Sequence, residues 1–280
     1  ILSSLCIFPI VFVFSISISS ETSIQKNGYQ LIPQELSAAA YQFLWNERGT
    51  ILHATFISIL VTALGIILSV LLTTTMGYVV SRNTYKLKSF YTWVIFIPMI
   101  FNGGMLAGYV VNTNILHLRN SIWALILPLA VSPFNIVICK TFFKTTIPDS
   151  IVESAKIDGA GHTKIFFQIT FPLGKPILVT MGLFSALAYW NDWTNGLYYL
   201  SGNQGQKLYS IQNLLNQMIT DIQYLASGKV AGNIGAEVAK LPTTSIRMAI
   251  AFIAMLPLFI IYPFLQKYFA EGITLGAVKG

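Results

Sequence analysis

Long apolar windows separated by short polar segments are the dominant pattern along the 280-residue chain. A bilayer core of about 30 Å needs about 20 apolar residues per helix, and several windows reach that length. The pattern predicts an all-α integral membrane protein in which residues 1–280 form a single transmembrane domain. The candidate spans lie at roughly 1–20, 52–80, 90–112, 121–143, 173–200 and 247–268.

The composition agrees with this pattern. Hydrophobic residues make up 54% of the chain and charged residues 10%, and the mean hydropathy is +0.66, too apolar for an ordinary soluble domain. The net charge of +7 does not indicate nucleic-acid binding, because most basic residues fall in short loops, where they orient membrane proteins. Cys6 and Cys139 each lie in an apolar run and predict no disulfide framework.

Residues 1–20 allow two interpretations. A cleaved signal peptide is one, but the apolar stretch is long and no clear small-residue cleavage site ends it, which favours a membrane span. The window begins without a methionine or a flanking charge, so we expect residues to precede Ile1.

The basic residues of the short loops set the expected orientation. They place residues 148–172 and both chain ends in the cytoplasm, and leave 21–50 and 201–246 as extracytoplasmic loops. The residues on the predicted cytoplasmic side are Arg82, Lys86, Lys88, Lys140, Lys144, Lys156, Lys164, Lys175, Lys267 and Lys279.

Residues 148–172 form the most polar stretch between two apolar windows, and their pattern predicts two short helices. Pro148 suits a first helical turn, and Asp149 and Glu153 lie early enough to favour the positive end of the helix dipole. A four-residue spacing predicts an apolar face made of Ile147, Ile151 and Ala155. Residues 158–161 predict a glycine turn, and a second amphipathic piece follows from about His162 to Thr170.

Periodicity alone leaves two interpretations of this stretch open. It fits an interfacial hairpin whose lysines lie among lipid headgroups. However, Glu153, Ala155, Gly159, Ile169 and Pro172 occur at spacings that resemble the EAA signature of the permease subunits of ATP-binding-cassette (ABC) importers. Asp158-Gly159-Ala160 is similar to the form found in sugar-importing members. Ser154 and Phe171 depart from the usual alanine and leucine, but both changes are small.

The resemblance extends over most of the chain. Residues 101–104, 141–143, 190–193, 262–269 and 276–280 are similar to the MalG-type branch of this family, and within it to the LplC/YtcP-like permeases associated with complex oligosaccharides. It implies the type I importer fold of six transmembrane helices, in a bacterial cell membrane, with a cytoplasmic coupling helix within 148–172.

The resemblance also implies a division of labour. This chain would form half of the pathway for oligosaccharides or polysaccharide fragments, beside a second, MalF-like permease. Two cytoplasmic ATPase subunits would bind ATP and Mg, and an external solute-binding protein would deliver the carbohydrate. The chain itself would carry no cofactor and would not be an enzyme. No G-x-x-x-x-G-K-[ST] phosphate loop occurs in the sequence.

In that family the EAA segment docks in a groove on the ATPase. Lys156 and Lys164 are expected to face solvent or lipid headgroups rather than make specific contacts. The coupling residues implied by the resemblance are Glu153, Ala155, Asp158, Gly159, Ala160, Gly161, Ile169 and Pro172.

Polar residues inside the predicted spans are candidates for the solute pathway. Aromatic faces stack on sugar rings, and amides and carboxylates bond hydroxyls, which fits the cluster at 190–195. The alternative is that the tryptophans belong to the interfacial belt and the polar groups bond within the helix. Likewise, the glycines beside Asn102 are explained equally by close helix packing. The candidates are Asn102, Asn135, Trp190, Asn191, Asp192, Trp193 and Asn195.

Other functions find less support. His53, His117 and His162 lack metal-ligand spacing, and no nucleophile or catalytic carboxylate pair is recognisable. An ABC permease for another solute remains an alternative. A further one is an ion-coupled carrier, but such carriers commonly show internal repeats, and none is convincing here.

Overall fold

The computed structural model describes residues 2–226, 243–257 and 259. Regular structure within them is helical, apart from one isolated antiparallel bridge between Ser19 and Leu36. Short π-helical turns cover Val111–Ile115 and Phe166–Thr170, and a 3₁₀ turn covers Leu127–Leu129. The α-helices are α1 (Leu2–Ser17), α2 (Glu21–Asn27), α3 (Ala39–Asn46), α4 (Arg48–Ser81), α5 (Lys88–Ile100), α6 (Gly104–Val110), α7 (Trp123–Ile126), α8 (Pro133–Thr146), α9 (Asp149–Ile157), α10 (His162–Ile165), α11 (Phe171–Leu173), α12 (Lys175–Trp190), α13 (Thr194–Tyr199), α14 (Gly202–Gln206), α15 (Ile211–Ala226) and α16 (Thr243–Pro257).

Helix α4 is the element best suited to cross a membrane. Its 34 residues include the predicted span 52–80, and among the described residues it alone is long and apolar enough to span by itself. Only 28% of its most apolar window is buried within the chain. A helix that leaves so much apolar surface uncovered by its own chain suits contact with lipid or with another membrane subunit.

Several predicted spans are divided in the structure. The segment Trp123–Leu129 meets α8 at a bend of 50°, and His162–Leu173 meets α12 at 81°. Counting each bent pair as one span raises the number of membrane-crossing candidates in the described part to three. The other apolar helices, Leu5–Ser17, α5 and α16, are shorter, at 10–17 residues. Most of the sixth predicted span beyond residue 257 lies outside the described residues.

The two predicted extracytoplasmic loops contain helices. Helices α2 and α3 and the start of α4 lie within 21–50, and α14, α15 and the first residues of α16 lie within 201–246. Residues 227–242 of the second loop lie outside the described residues. The polar composition of these stretches therefore predicted solvated segments without revealing their helices.

The described residues divide into two compact units. One contains the residues up to Ile57 and those from Tyr209 onward, and the other is Ser58–Leu208. In the first unit, the ring centroids of Phe14 and Phe252 lie 4.8 Å apart and join α1 to α16. The carboxylate of Glu21 accepts hydrogen bonds from the backbone N–H groups of Thr244 and Ser245, both at 3.1 Å, and so caps α16.

The second unit contains a buried cluster that joins the ends of several helices. Tyr78 of α4 packs edge-on against Phe143 of α8 at 6.1 Å and against Phe166 at 5.4 Å. Val152 of α9 and Ile165 of α10 belong to the same cluster. The polar stretch between α8 and α12 is therefore anchored on the hydrophobic core rather than suspended as a free loop.

Candidate functional site

Helix α9 is the first of the two helices predicted in the polar stretch. It runs from Asp149 to Ile157, with Pro148 as the N-cap at φ −57° and ψ 146°. Pro148 thus lies one position before the helical turn in which the sequence placed it. Asp149 in the first turn and Lys156 in the last complement the helix dipole.

The buried face of α9 differs from the one that the spacing predicted. Val152 is 5% exposed and lies in the core cluster, whereas Ile151 is 40% exposed. Ile147 is buried, but at φ −116° and ψ 96° it lies outside the helical conformation. Because the chain turns at Pro148, a spacing counted from Ile147 gives the wrong helical phase, and the stripe rotates to Val152 and Ala155.

A Schellman motif ends α9 at the predicted glycine turn. The N–H of Gly159 donates to the carbonyl of Lys156 at 3.0 Å, and the N–H of Ala160 donates to that of Ala155 at 2.9 Å. Gly159 has a φ of +82°, and a Cβ there would meet nothing within 4 Å. Backbone conformation, rather than space, is what requires glycine at this position.

The second half of the stretch lies on the core. Ile165 is fully buried and Phe166 is 7% exposed, while Ile169 is partly buried against the same cluster. Pro172 is exposed. A Cβ on Gly174 would lie 2.8 Å from a ring carbon of Phe143, so this turn approaches α8 closely.

The coupling residues implied by the sequence therefore divide between two environments. Ala155, Ala160 and Ile169 pack partly buried against the core cluster. The polar side chains and glycines face outward, and these exposed residues are Glu153, Asp158, Gly159 and Gly161. The stretch combines a fixed apolar side with an accessible polar side, which suits a rigid docking element.

Arg82 also belongs to this site, although its place in the sequence indicated only the orientation of the chain. It is 6% exposed and directly follows α4. Its Nη2 donates to the carbonyl of Phe143 at 2.6 Å, and its Nη1 donates to the carbonyl of Ile147 and to Oδ1 of Asp149, both at 3.0 Å. In the sequence Arg82 is a lone arginine at the end of a long apolar window. That position does not indicate which groups its side chain binds.

A cavity of about 510 Å³ opens beside α9. Its wall combines apolar side chains with basic ones, which include those of Arg82, Lys86 and Lys156. The lining includes Tyr78, Arg82, Lys86, Leu87, Lys156 and His162.

Asn191 and Asp192 of the 190–195 cluster each form hydrogen bonds with nearby backbone groups. Nδ2 of Asn191 donates to the carbonyl of Leu187 at 2.9 Å, within the helical turn. Oδ1 of Asp192 accepts the N–H groups of Thr194 at 3.1 Å and Asn195 at 3.3 Å, and so begins α13. These contacts match the alternative in which the polar groups bond within the helix.

The two tryptophans of this cluster differ in exposure. Trp190 is 5% exposed and Trp193 is 44% exposed. Asn195 is half-buried. Trp190 is therefore enclosed by its own chain, whereas Trp193 is accessible.

Asn102 lies at a break between α5 and α6. Its Oδ1 accepts the N–H of Gly104 at 2.9 Å, and Gly104 has a φ of +78°. A Cβ on Gly104 would meet nothing within 4 Å, so this glycine serves the turn rather than helix packing. Asn102 also lines a cavity of about 400 Å³ together with Met76, Pro98, Phe101, Gly103 and Ile136.

Asn135 is half-buried in the first turn of α8, where its N–H faces the capping hydroxyl of Ser132 at 3.5 Å. It lies next to Ile136, which lines the cavity beside Asn102. Among the described residues, no group of three or more His, Cys, Asp and Glu side chains is arranged to hold a metal ion.

Comparison with known proteins identifies the family. The chain is 35% identical over 278 residues to the polygalacturonan/rhamnogalacturonan transport system permease protein YtcP of Bacillus subtilis (strain 168), covering 99% of this chain and 93% of that protein. It is 33% identical over 279 residues to the protein LplC of the same organism, covering 99% and 90%.

The fold is also known. A crystal structure of a bacterial ABC transporter involved in the import of the acidic polysaccharide alginate contains a chain that matches with a TM-score of 0.80 and 24% identity, covering 96% of this chain and 92% of that chain. Residues 62–275 match the family described as binding-protein-dependent transport system inner membrane component. The chain therefore belongs to this family of ABC importer permeases, which are transport subunits rather than enzymes.

Proposed function

We propose that this chain forms half of the translocation pathway of an ATP-driven importer for oligosaccharides or polysaccharide fragments. Similarity to YtcP over 99% of the chain supports a carbohydrate as the solute. Membership of a binding-protein-dependent family favours this function over an ion-coupled carrier.

The observation that carries the coupling role is the two-sided construction of α9. Val152 fixes the helix to the core, while Glu153 and the turn at Gly159 face outward. A helix packed on the ends of α4 and α8 can transmit a rigid-body movement, because close-packed interiors deform little. Glu153 would pair with a basic group of the ATPase, and the exposed glycines Gly159 and Gly161 would allow the ATPase backbone to approach.

The partners follow from this role. They are a second, MalF-like permease, two cytoplasmic ATPase subunits that bind ATP and Mg, and an external solute-binding protein. The exposed polar face of α9 would lie in the cytoplasm, as would both chain ends. The exposed apolar surface of α4 would contact lipid or the second permease.

The solute pathway is best supported near Asn102. Its side chain accepts the N–H of Gly104 and lines a cavity of about 400 Å³ at a helix break, so it borders a space that a solute could enter. We propose Asn102 as the first pathway residue to test, followed by Asn135, whose chain neighbour Ile136 lines the same cavity. Trp190, Asn191, Asp192, Trp193 and Asn195 would mainly shape the end of α12 and the start of α13.

The test is uptake into vesicles that contain the complete complex with its solute-binding protein. We expect uptake of saccharides to require ATP and to stop when the ATP site of the partner subunit is disabled. Uptake that survives this change but collapses with the ion gradient would refute the proposal. Glu153→Lys should reduce co-purification of the ATPase, whereas Lys164→Gln, on an exposed residue of the same segment, should not.

A further inference from the structure

Arg82 lies where three helices meet. The side chain follows α4, reaches the last turn of α8 and contacts the first turn of α9. Its guanidinium carbon also lies 5.3 Å from the ring centroid of Tyr78, which belongs to the core cluster. One buried cation therefore contacts α4, α8 and α9.

The acceptors of Arg82 explain why an arginine is needed. The carbonyls of Phe143 and Ile147 lie at the C-terminus of α8, where the helix dipole attracts a cation, and that of Phe143 also accepts the N–H of Ile147 at 3.2 Å. The planar guanidinium donates in fixed directions to several acceptors at once, which an ammonium group cannot reproduce. These bonds fix the corner between α8 and α9.

The ion pair with Asp149 has a different character. The Arg82 side chain is 7% exposed, but that of Asp149 is 50% exposed, and their closest atoms lie 3.0 Å apart. The carbonyl bonds hold α4 against α8, whereas Asp149 is the group through which the same guanidinium holds α9. Loss of the Asp149 charge therefore loosens α9 while the bonds from α4 to α8 stay in place.

We propose that Arg82 is a positioning residue for energy coupling: it ties the direction of α9 to the ends of α4 and α8, and Asp149 is the link through which α9 follows. This inference rests on the proposed coupling function of α9. Without the link, a movement imposed on α9 by the ATPase would be taken up by rotation of α9 about the corner at Pro148. The spans would then respond less to ATP.

The test compares Asp149→Asn with the unmodified chain in the reconstituted complex. We expect ATPase co-purification, thermal stability and unstimulated ATP hydrolysis to be retained. The ratio of solute-stimulated to unstimulated hydrolysis should fall about fivefold. A purely structural role would instead lower stability and assembly together. Asp149→Glu, which keeps the charge, should retain most of the stimulation.

Two further variants make the test specific. Lys144→Gln removes an exposed positive charge from the last turn of α8 and should leave the ratio unchanged. In an Arg82→Gln background, Asp149→Asn should cause no additional loss, because the link is already broken. A normal ratio in Asp149→Asn, or an equal fall in Lys144→Gln, would overturn the inference while leaving the proposed function intact. No solute stimulation in the unmodified complex would overturn both.

Discussion

At the scale of single residues, Gly159 determines how α9 ends. Its φ of +82° is unfavourable for any residue with a Cβ, although open space surrounds it. Gly159→Ala should cost about 1 kcal/mol, because the penalty is confined to the backbone. We expect a lower melting temperature in detergent and weaker solute-stimulated ATP hydrolysis by the complex.

Gly161 provides the matched control for Gly159. It also has open space around it, but as the N-cap of α10 it has φ −70° and ψ 161°, which any residue adopts. Gly161→Ala should therefore change neither measurement. Equal effects of the two substitutions would contradict the assignment of the Gly159 effect to backbone strain.

Glu21 is a second residue whose contribution can be measured. Its carboxylate caps α16 through the N–H groups of Thr244 and Ser245. Glu21→Ala should cost about 1 kcal/mol, the usual effect of losing a helix cap. Hydrogen exchange should accelerate at the two capped amides. Glu47→Ala changes the exposed C-cap residue of α3 and should leave hydrogen exchange at these two amides unchanged. Unchanged exchange in Glu21→Ala would refute the cap.

Sequence patterns predicted two helices and a glycine turn in residues 148–172 but not their contacts. The glycine turn could be predicted because only glycine readily adopts the left-handed conformation that a Schellman motif requires. The buried face could not, because Pro148 interrupts the helical period between Ile147 and Ile151. The sequence could not show what Arg82 and Glu21 bind, because their partners are backbone groups far along the chain. Arg82 donates to the carbonyl of Phe143, 61 positions away, and Glu21 accepts the N–H of Thr244, 223 positions away.

At the scale of helices, close approach between α4 and its neighbours limits which residues fit. A Cβ on Gly77 would lie 2.5 Å from the Cβ of Cys139 on α8. Gly77→Ala should therefore force α4 and α8 apart and destabilise the protein by about 1–3 kcal/mol, the usual range for overpacking. The effect should appear as a lower melting temperature in detergent.

Gly182 on α12 is the control for Gly77. A Cβ there would meet the side chains of Ile66 and Val70 at 3.9 Å, an ordinary contact. Gly182→Ala should be neutral or stabilising, because alanine favours a helix interior over glycine by about 0.5–1 kcal/mol. Destabilisation of both variants to the same extent would show that the distance to α8 is not the cause.

The hydrophobic windows predicted where helices lie better than where they break. Window 90–112 is interrupted around Asn102, and window 173–200 is interrupted at Asp192. At each break a side-chain oxygen accepts the backbone N–H of the first residue of the next helix. Hydropathy averages over about 19 residues and is insensitive to one capping residue, so the windows did not predict these breaks.

At the scale of the whole molecule, the chain leaves much apolar surface uncovered. Large side chains on α4 and α5, such as Phe56, Ile67, Phe90 and Trp93, are each at least 60% exposed. In water such a surface would be an interaction or aggregation site. For a permease it indicates contact with lipid and a second membrane subunit, so detergent or a partner should be required for stability.

The orientation proposed for the molecule can be tested by labelling single cysteines with a membrane-impermeant maleimide. Lys86→Cys and Lys164→Cys lie in exposed segments predicted to be cytoplasmic, whereas Tyr29→Cys and Gln206→Cys lie in exposed segments predicted to be external. The first pair should react in inside-out vesicles and stay protected in right-side-out vesicles. The second pair should show the reverse, because the reagent cannot cross the bilayer.

The native cysteines must be removed for this labelling, and the structure indicates which replacements suit each site. Cys6 is exposed, so Cys6→Ser should be tolerated, whereas Cys139 is fully buried and calls for the apolar Cys139→Ala. Uptake by the cysteine-free chain is the control for correct folding. Labelling of Lys164→Cys from outside would place α9 and α10 on the external face, where they could not contact a cytoplasmic ATPase. That result would refute both the orientation and the coupling role.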